Sequence, residues 1–262
     1  MTAGLSGLAF TTRVGPVFAR EPKQTPTRRV TIDAKPERIA MDTAKTAVIV
    51  VDMQNDFGSE GGMFQRAGRD LSLIQAAVAP TARVLDAARR EGIKIIYFKM
   101  AFKPDLSDVG SADSVNRRVH LKLGAGQTVR APNGTQSRIL IRDTWNSDIL
   151  TELTPKGGDV VLYKTRFGAF YETKLDSILK QVGVKYLILT GCATSTCVES
   201  TVREAMFRDY LPIVLADCTG DLNKNIHESA LSRIERLFGW ISNSAGFIDG
   251  LETHPAGATN KS

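Results

Sequence analysis

The sequence predicts an α/β protein in which a parallel sheet is covered by helices on both faces. Short apolar runs rich in β-branched residues recur along the chain, beginning with Thr46-Ala-Val-Ile-Val-Val-Asp52. Such runs are typical of parallel strands whose two faces are both buried. Segments with a helical spacing of apolar residues separate the runs. This alternation of strands and helices indicates a parallel sheet between two helical layers.

The elements follow one another in a regular order. Gly92 ends the helix that begins at Leu71, and Gly183 ends the helix that begins at Thr173, because glycine readily adopts the backbone conformation of a helix end. The predicted strands span residues 46–52, 93–99, 159–164, 186–190, 212–217 and 240–242, and the predicted helices span residues 71–90, 173–181, 195–208 and 223–238. Ligands of such sheets bind beyond the carboxyl ends of the strands, so the candidate functional residues lie there.

The domain organisation follows from where this alternation begins. Residues 1–42 hold four of the ten prolines among scattered polar residues, and they are predicted to form an extended N-terminal arm. Residues 43–262 are predicted to form one domain, which is within the usual size range. Inside it, residues from about 100 to 150 lack regular periodicity. An insertion of that length is usually a lid or a pocket wall.

Composition argues against several classes of protein. The net charge is +6, but half of that excess lies in residues 1–42, which hold seven Lys or Arg against four Asp or Glu. The rest of the chain has no clustered basic run that would indicate a nucleic-acid-binding face. No apolar stretch reaches the ~18 residues that a membrane helix needs. Three cysteines are too few for a disulfide scaffold. This low count favours a reducing compartment, the cytoplasm. The N-terminus lacks the basic region of a secretory signal, and a transit peptide is the remaining alternative for these residues.

Chemically reactive side chains stand at the ends of three predicted strands. Asp52 ends the first strand, Lys164 ends the third, and Cys197 lies at the start of the helix that follows the fourth. Because the carboxyl ends of parallel strands share one edge of a sheet, we expect these three side chains to lie close together. Each also has an ordinary explanation: a buried structural thiol, a helix cap and a surface lysine. The pattern alone leaves these alternatives open.

Together the three groups suit acyl transfer from an amide to water. A helix N-terminus favours the thiolate of Cys197, and a neighbouring Lys164 ammonium is expected to lower the thiol pKa further. Asp52 can take the thiol proton and return it to a leaving amine. Backbone N–H groups around Ala193 and Cys197 can hold the oxyanion of a tetrahedral intermediate.

Three segments of the sequence resemble the signature segments of the isochorismatase-like cysteine hydrolases. In chain order they are Val48-Ile-Val-Val-Asp52-Met-Gln-Asn-Asp-Phe57, Lys164-x-Arg-x-x-x-Phe170 and Gly191-Cys-Ala-Thr-x-x-Cys197-Val-Glu-Ser-Thr201. The likeness covers roughly residues 40–250. It implies a three-layer α/β/α sandwich with a six-stranded, mostly parallel sheet, assembled as a homodimer or homotetramer.

The resemblance also implies roles for particular residues. The catalytic triad of the family corresponds to Asp52, Lys164 and Cys197. A cis peptide bond would fall between Cys192 and Ala193, and the N–H groups of Ala193 and Cys197 would form the oxyanion hole. A cysteine nucleophile argues against the true isochorismatases, whose vinyl-ether hydrolysis does not use one.

Within the family, the sequence is most similar to the branch of ureidoacrylate amidohydrolases and biuret and triuret hydrolases. This likeness implies a small linear ureide as substrate, with Phe102 and Phe170 as apolar walls of the pocket and Arg166 as the partner of a substrate carboxylate or carbonyl. Phe57 and, in the insertion, Asn116 are further candidate substrate-binding residues. Core packing of Phe102 and Phe170, a structural ion pair of Arg166 and a plain loop position of Asn116 are the alternatives. The chain departs from that branch in two places. Met100 stands near the position of a polar amide residue, and the Gly220–Asn223 turn replaces one that contains His and Gln. Both positions are expected to touch the substrate.

No metal or other cofactor is expected. The zinc-binding nicotinamidases of this superfamily carry an Asp-x-His motif after the second strand, where this chain reads Lys99-Met-Ala-Phe-Lys103. The alternatives to a ureide hydrolase are another small-amide hydrolase, such as an N-carbamoyl amino acid amidase or a nicotinamidase, and a non-catalytic binding protein of the same fold. A redox role of Cys192 and Cys197 is disfavoured, since four residues separate them instead of two.

Overall fold

The computed structural model of the chain describes residues 28–253. The strands are β1 Arg29–Ile32, β2 Ile39–Asp42, β3 Thr46–Val51, β4 Lys94–Met100, β5 Thr128–Arg130, β6 Gln136–Arg138, β7 Val160–Lys164, β8 Tyr186–Cys192, β9 Leu211–Gly220 and β10 Trp240–Ser242. The α-helices are α1 Asn55–Gly58, α2 Met63–Arg66, α3 Ser72–Ala76, α4 Val78–Arg90, α5 Val115–Lys122, α6 Leu175–Gln181, α7 Glu199–Met206, α8 Lys224–Leu237 and α9 Ser244–Glu252.

Six of these strands form one parallel sheet in the order β10-β9-β8-β3-β4-β7. Every neighbouring pair in it is parallel, so the predicted six-stranded α/β architecture is confirmed. β3 shows how the sheet separates two cores. Val48 and Val50 point into the core formed with α3, α4 and α9, and Ala47, Ile49 and Val51 point into the core formed with α6, α7 and α8. Alternation with period two therefore makes β3 apolar on both faces.

Two predicted helices are divided in the structure. The helix expected over residues 71–90 is interrupted between α3 and α4. Pro80 is the physical reason, because it lacks the N–H that would bond the carbonyl of Ala76, four residues earlier. The helix expected over residues 195–208 begins instead with a π-helical turn, Thr194–Val198, and only then continues as α7.

Part of the predicted arm is folded. β1 and β2 pair antiparallel, and Val30 and Ile32 of β1 are buried. Lys35 then bridges the edge of the main sheet, with its N–H 2.8 Å from the Ile241 oxygen and its oxygen 3.0 Å from the Ile241 N–H. Residues 28–42 are thus packed onto the domain instead of extending from it. Residues 1–27 lie outside the described residues, and the domain boundary at residue 42 stays a prediction.

The insertion at about residues 100–150 contains α5 and the β5–β6 hairpin. It is tied to α1 by the buried carboxylate of Asp56, whose Oδ1 accepts from Asn146 Nδ2 at 2.6 Å and from the Met63 N–H at 3.2 Å. Its Oδ2 accepts from the Leu140 N–H at 2.7 Å. Burial raises the pKa of Asp56 to about 7, although these three donors oppose the rise. One carboxylate therefore joins the loop after β3 to a segment some 90 residues later.

We expect Asp56→Ala to lower the free energy of unfolding by about 1–3 kcal/mol at pH 8, because three buried donors lose their acceptor. The folded chain holds the Asp56 proton more tightly than the unfolded chain, whose pKa is near 3.8. The contribution of this residue to stability therefore falls as the pH rises from 3.8 to about 7. Urea denaturation at pH 5 and pH 8 should show the larger loss at pH 5.

Glu60→Ala is the matched control, since Glu60 is an exposed carboxylate in the same stretch of chain. It should change stability by less than about 0.5 kcal/mol at either pH. A loss for Asp56→Ala that grows with pH would mean instead that the three donors favour the ionised form enough to overcome burial.

Candidate active site

The three candidate catalytic residues meet at one edge of the sheet. Asp52 directly follows β3, Lys164 ends β7, and Cys197 lies in the π-helical turn after β8. The backbone of Asp52 is left-handed, with a φ of 54°, which is uncommon for a residue with a β-carbon. Such conformations concentrate at functional sites, where the surroundings hold them in place.

Asp52 and Lys164 form a fully buried ion pair. Lys164 Nζ lies 2.7 Å from Asp52 Oδ2, and both side chains have no exposed surface. Nζ also donates to the carbonyl oxygens of Arg166 at 3.0 Å and Phe167 at 3.1 Å. With the Met100 sulfur at 3.7 Å, these three oxygens surround the ammonium with acceptors for its protons. Burial alone would disfavour the charge, but Asp52 and the neighbouring Cys197 outweigh it, so the pKa of Lys164 is raised and the ammonium persists.

The thiol of Cys197 adjoins this pair and interacts with both of its members. Burial raises its pKa to about 12; Lys164 opposes the rise and Asp52 adds to it. The expectation of a lowered thiol pKa is therefore wrong. The physical reason is that the helix end and the ammonium do not compensate for burial next to a carboxylate. At neutral pH the sulfur carries its proton.

Asp52 is placed to receive that proton. Burial raises its pKa above the ordinary value, while Lys164, Cys197 and the Met100 backbone lower it. Beyond these neighbours, neither carboxylate oxygen has a partner of regular hydrogen-bond geometry among the described residues. A carboxylate with a raised pKa and few competing donors is a stronger base than an exposed one.

The turn that carries Cys197 is fixed from several sides. The peptide bond between Cys192 and Ala193 is cis, as the family resemblance implies. Asp221 Oδ2 accepts from the Ser195 N–H at 2.8 Å, and Thr201 Oγ1 donates to the Cys197 oxygen at 2.7 Å. The Ala193 N–H donates to no acceptor in residues 28–253. It is available to a ligand at the wall that Ala193 shares with Cys197.

A cavity of about 250 Å³ opens onto the sulfur. Its walls come from the loop after β3, the end of β4, the insertion, the loop after β7 and the loops that follow β8 and β9. The lining residues are Phe57, Met63, Phe64, Arg69, Met100, Val119, His120, Leu123, Phe167, Cys192, Ala193, Thr196, Cys197, Asp221 and Leu222. Most are apolar, so the cavity suits a small ligand with a polar reacting group and an apolar remainder.

Of the five residues expected to bind substrate, only Phe57 lines this cavity. Phe102 is fully buried behind it, with its ring 5.1 Å from that of His120. Phe170 packs on Tyr210 instead, at 5.7 Å between ring centroids. These two rings belong to the core of the protein.

The two polar residues of that set are engaged elsewhere. Arg166 Nη1 donates to the Thr165 oxygen at 2.8 Å and to the Asp108 oxygen at 3.3 Å. Asn116 Nδ2 donates to the oxygens of Val109 and Thr165, at 2.8 Å and 3.2 Å. The structure therefore assigns both to holding the insertion against β7. Direct substrate contacts predicted for them do not follow from this arrangement.

The two departures from the related branch both face the cavity. Met100 lies at the end of β4, and Asp221 and Leu222 lie in the turn after β9. The expectation that these positions touch a ligand agrees with their place in the cavity wall. It was the likeness to a family, not periodicity, that singled them out.

Sequence reasoning missed His120 as a residue of the site. Its ring is buried on α5 and lines the cavity. Nδ1 lies 2.7 Å from the Asn116 oxygen, which can only accept, so Nδ1 carries the proton and Nε2 is left as an acceptor. Burial lowers its pKa and keeps the ring neutral. Because His120 follows no strand, only the folded insertion reveals its place.

Between residues 28 and 253, no cluster of three or more His, Cys, Asp or Glu side chains is arranged to hold a metal ion. His227 bonds the Thr194 hydroxyl, at 2.8 Å from Nδ1.

Between residues 28 and 253, no helix is long and apolar enough to cross a membrane.

Comparison with known proteins agrees with this geometry. The sequence pattern of the Isochorismatase domain matches residues 46–246, which span the sheet and all three strand-end residues. The chain belongs to the isochorismatase family. It is an amidohydrolase of this family, a hydrolase of C–N bonds other than peptide bonds, as the sequence predicts.

The enzyme is similar along most of its length to curated relatives. A ureidoacrylate amidohydrolase of Methylorubrum extorquens is 40% identical over 87% of this chain and 91% of its own. One from Serratia proteamaculans is 39% identical over 90% of this chain and 94% of its own. Among solved structures, a cysteine hydrolase from Pseudomonas syringae pv. phaseolicola superposes with a TM-score of 0.69 at 26% identity, covering 81% of this chain and 95% of that one. N-carbamoylsarcosine amidase from Thermoplasma acidophilum has a TM-score of 0.58 at 25% identity, covering 79% and 99%.

The raised thiol pKa predicts how Cys197 reacts with iodoacetamide. Since only the thiolate is alkylated, the rate should rise about tenfold per pH unit between about pH 7 and 10 without levelling off. Lys164→Ala should lower the rate at every pH, because it removes the charge that favours the thiolate. Mass spectrometry of the labelled peptide measures the rate, and circular dichroism checks the fold.

Lys122→Ala is the control, because Lys122 is exposed on α5 and does not line the cavity. It should leave the profile of the wild type unchanged. A wild-type rate that levels off near neutral pH would contradict the protonated resting thiol, and an unchanged profile in Lys164→Ala would remove Lys164 from the activation of the sulfur.

Proposed function

We propose that the enzyme is a cysteine-nucleophile amidohydrolase that acts on a small linear ureide of the ureidoacrylate, biuret or triuret type. The observation that carries the proposal is the convergence of the Cys197 thiol with the buried Asp52–Lys164 pair at the wall of a cavity. Cys192 also lines the cavity, but its thiol donates to the backbone oxygen of Asp52 at 3.3 Å, and burial raises its pKa well above the ordinary value. Cys218 faces the core beside Asp217.

In the first half of the proposed reaction, the sulfur of Cys197 attacks the carbonyl carbon of the ureide as Asp52 takes the thiol proton. A tetrahedral intermediate forms with its negative charge on the former carbonyl oxygen. The N–H groups of Ala193 and Cys197 would receive that charge. The intermediate then breaks its C–N bond, and Asp52 returns the proton to the leaving nitrogen as it departs.

In the second half, a water molecule attacks the resulting thioester, and Asp52 accepts a proton from it. The C–S bond breaks, the sulfur regains a proton and the acid or carbamate product leaves. Lys164 does not exchange its proton in these steps. Its fixed positive charge stabilises the thiolate that forms while Asp52 is neutral.

Two features of the cavity support a ureide. His120 Nε2 is an acceptor for a ureide N–H, and the free Ala193 N–H is a donor for the carbonyl oxygen. The ureidoacrylate amidohydrolases cover most of this chain at about 40% identity. The likeness to N-carbamoylsarcosine amidase favours N-carbamoyl amino acids as a second candidate class, because both classes present a terminal ureido group.

Cys197→Ser tests the proposal. We expect turnover to fall by at least about 1000-fold with the fold retained, since a hydroxyl is a far weaker nucleophile than the thiol here. The measurement is ammonia release from a panel of ureidoacrylate, biuret, triuret, N-carbamoyl amino acids and nicotinamide. Intact mass spectrometry of the wild type during turnover should show a transient acyl or carbamoyl adduct on Cys197.

Cys218→Ser is the matched control, because Cys218 is buried away from the cavity. It should keep its turnover while losing some stability. Near-normal hydrolysis by Cys197→Ser, or no ammonia from any compound with the wild type, would refute the proposed function.

Assembly and location remain predictions of the sequence and its family likeness. The family likeness implies a homodimer or homotetramer, and cysteine usage favours the cytoplasm. Light scattering coupled to gel filtration measures the first directly.

A further inference from the structure

One charged side chain of the cavity is not used by the proposed reaction. Arg69 lies in the loop after α2 and lines the same cavity as Cys197. Its backbone N–H bonds the Phe64 oxygen at 3.0 Å, which fixes the start of the side chain beside Phe64. Arg69 is solvent-exposed, and within residues 28–253 its guanidinium makes no hydrogen bond or ion pair with the protein. The exposed edge of the cavity therefore carries a cation that is free to pair with a ligand.

Arg166, which the family likeness places among the substrate-binding residues, is occupied by other contacts. The guanidinium of Arg166 bonds the carbonyl oxygens of Thr165 and Asp108 and lies over the ring of Tyr171 at 5.1 Å. It does not line the cavity. Arg69 is thus the arginine that can reach a ligand there.

The rest of the cavity wall shows which end of the cavity could receive a charged group of a ligand. Asp221 is the other charged residue of the wall, but its two oxygens already accept from the N–H groups of Ser195 and Leu222, each at 2.8 Å. Ser195 is two residues before Cys197, so Asp221 belongs to the reacting end. Arg69 comes from a different wall, next to the paired rings of Phe57 and Phe64, whose centroids are 4.8 Å apart. Apolar side chains supply most of the rest.

We propose, on the basis of the function proposed above, that Arg69 binds a substrate carboxylate and makes the enzyme selective for ureido acids. The substrate class is a terminal ureido group, a short apolar spacer and a carboxylate. The planar guanidinium offers two parallel N–H donors to the two carboxylate oxygens. The apolar wall packs against the spacer, and the ureido group reaches Cys197.

A carboxylate site at Arg69 distinguishes ureido acids from biuret and triuret, which the family likeness alone does not distinguish. Biuret and triuret carry neither a carboxylate nor an apolar spacer. They leave Arg69 unpaired and place polar groups against Met63, Phe64 and Leu222. Ureido acids are therefore the preferred class, with biuret and triuret as poor substrates.

The test compares 3-ureidopropionate with its methyl ester, which has the same spacer and ureido group but no charge. We expect Arg69→Met to lower kcat/KM for the acid about 10- to 100-fold, mainly through KM, and to change that for the ester less than about threefold. Arg69→Lys should keep part of the preference for the acid over the ester, because lysine retains the positive charge but lacks the two parallel N–H donors of the guanidinium. Added salt should raise the KM of the wild type for the acid alone.

Arg118→Met is the matched control, since Arg118 is exposed on α5 and lies outside the cavity lining. It should leave both substrates unaffected. Equal losses for acid and ester in Arg69→Met, or no loss for either, would overturn the role of Arg69.

Binding to Cys197→Ser by calorimetry distinguishes this inference from the function on which it rests. Tight binding of the acid that weakens when Arg69→Met is added supports the carboxylate site, even if the wild type releases no ammonia. Hydrolysis of the ester and of neutral amides without preference for the acid would leave the hydrolase standing and refute the carboxylate site.

Discussion

The buried ion pair between Asp52 and Lys164 is the interaction on which the rest of the site depends. Removing two charges from water costs several kcal/mol per ion, and the cost is met only when geometry and additional hydrogen bonds are both favourable. Here the carbonyl oxygens of Arg166 and Phe167 complete the ammonium. The pair also fixes the relative positions of two strand ends, because Asp52 follows β3 and Lys164 ends β7.

β4 lies between these two strands and is held at the same edge. The side-chain amide of Gln54 brackets the backbone of Met100, donating to its oxygen at 3.0 Å and accepting from its N–H at 2.8 Å. On the other side, Gly191 brings β8 against β3 so closely that a β-carbon would overlap the Val51 oxygen. The parallel sheet thus brings the Asp52–Lys164 pair and the turn that carries Cys197 to the same edge. Loops alone would not hold them so closely.

The same burial determines how the sulfur can be activated. A permanent thiolate would place a second negative charge beside Asp52 in a medium of low polarity. Transfer of the thiol proton to Asp52 avoids this, because the three groups carry the same total charge before and after the step. In the proposed mechanism the site is therefore a neutral thiol with an adjacent base, and the nucleophile would form only as it attacks. Exposed reactive cysteines work differently, since solvent and nearby cations stabilise their thiolates in advance.

The sequence by itself determined the α/β class, the places of the six sheet strands and the three strand-end residues. These depend on signals within a few residues, such as the alternation in Thr46–Val51 or the polar residue that ends an apolar run. Only the tertiary structure decided the raised pKa of Cys197, the presence of Arg69 and not Arg166 in the cavity wall, and the presence of His120 there. Each of these depends on burial and contact between segments far apart in the chain, and no local pattern of residues encodes which distant groups enclose a side chain.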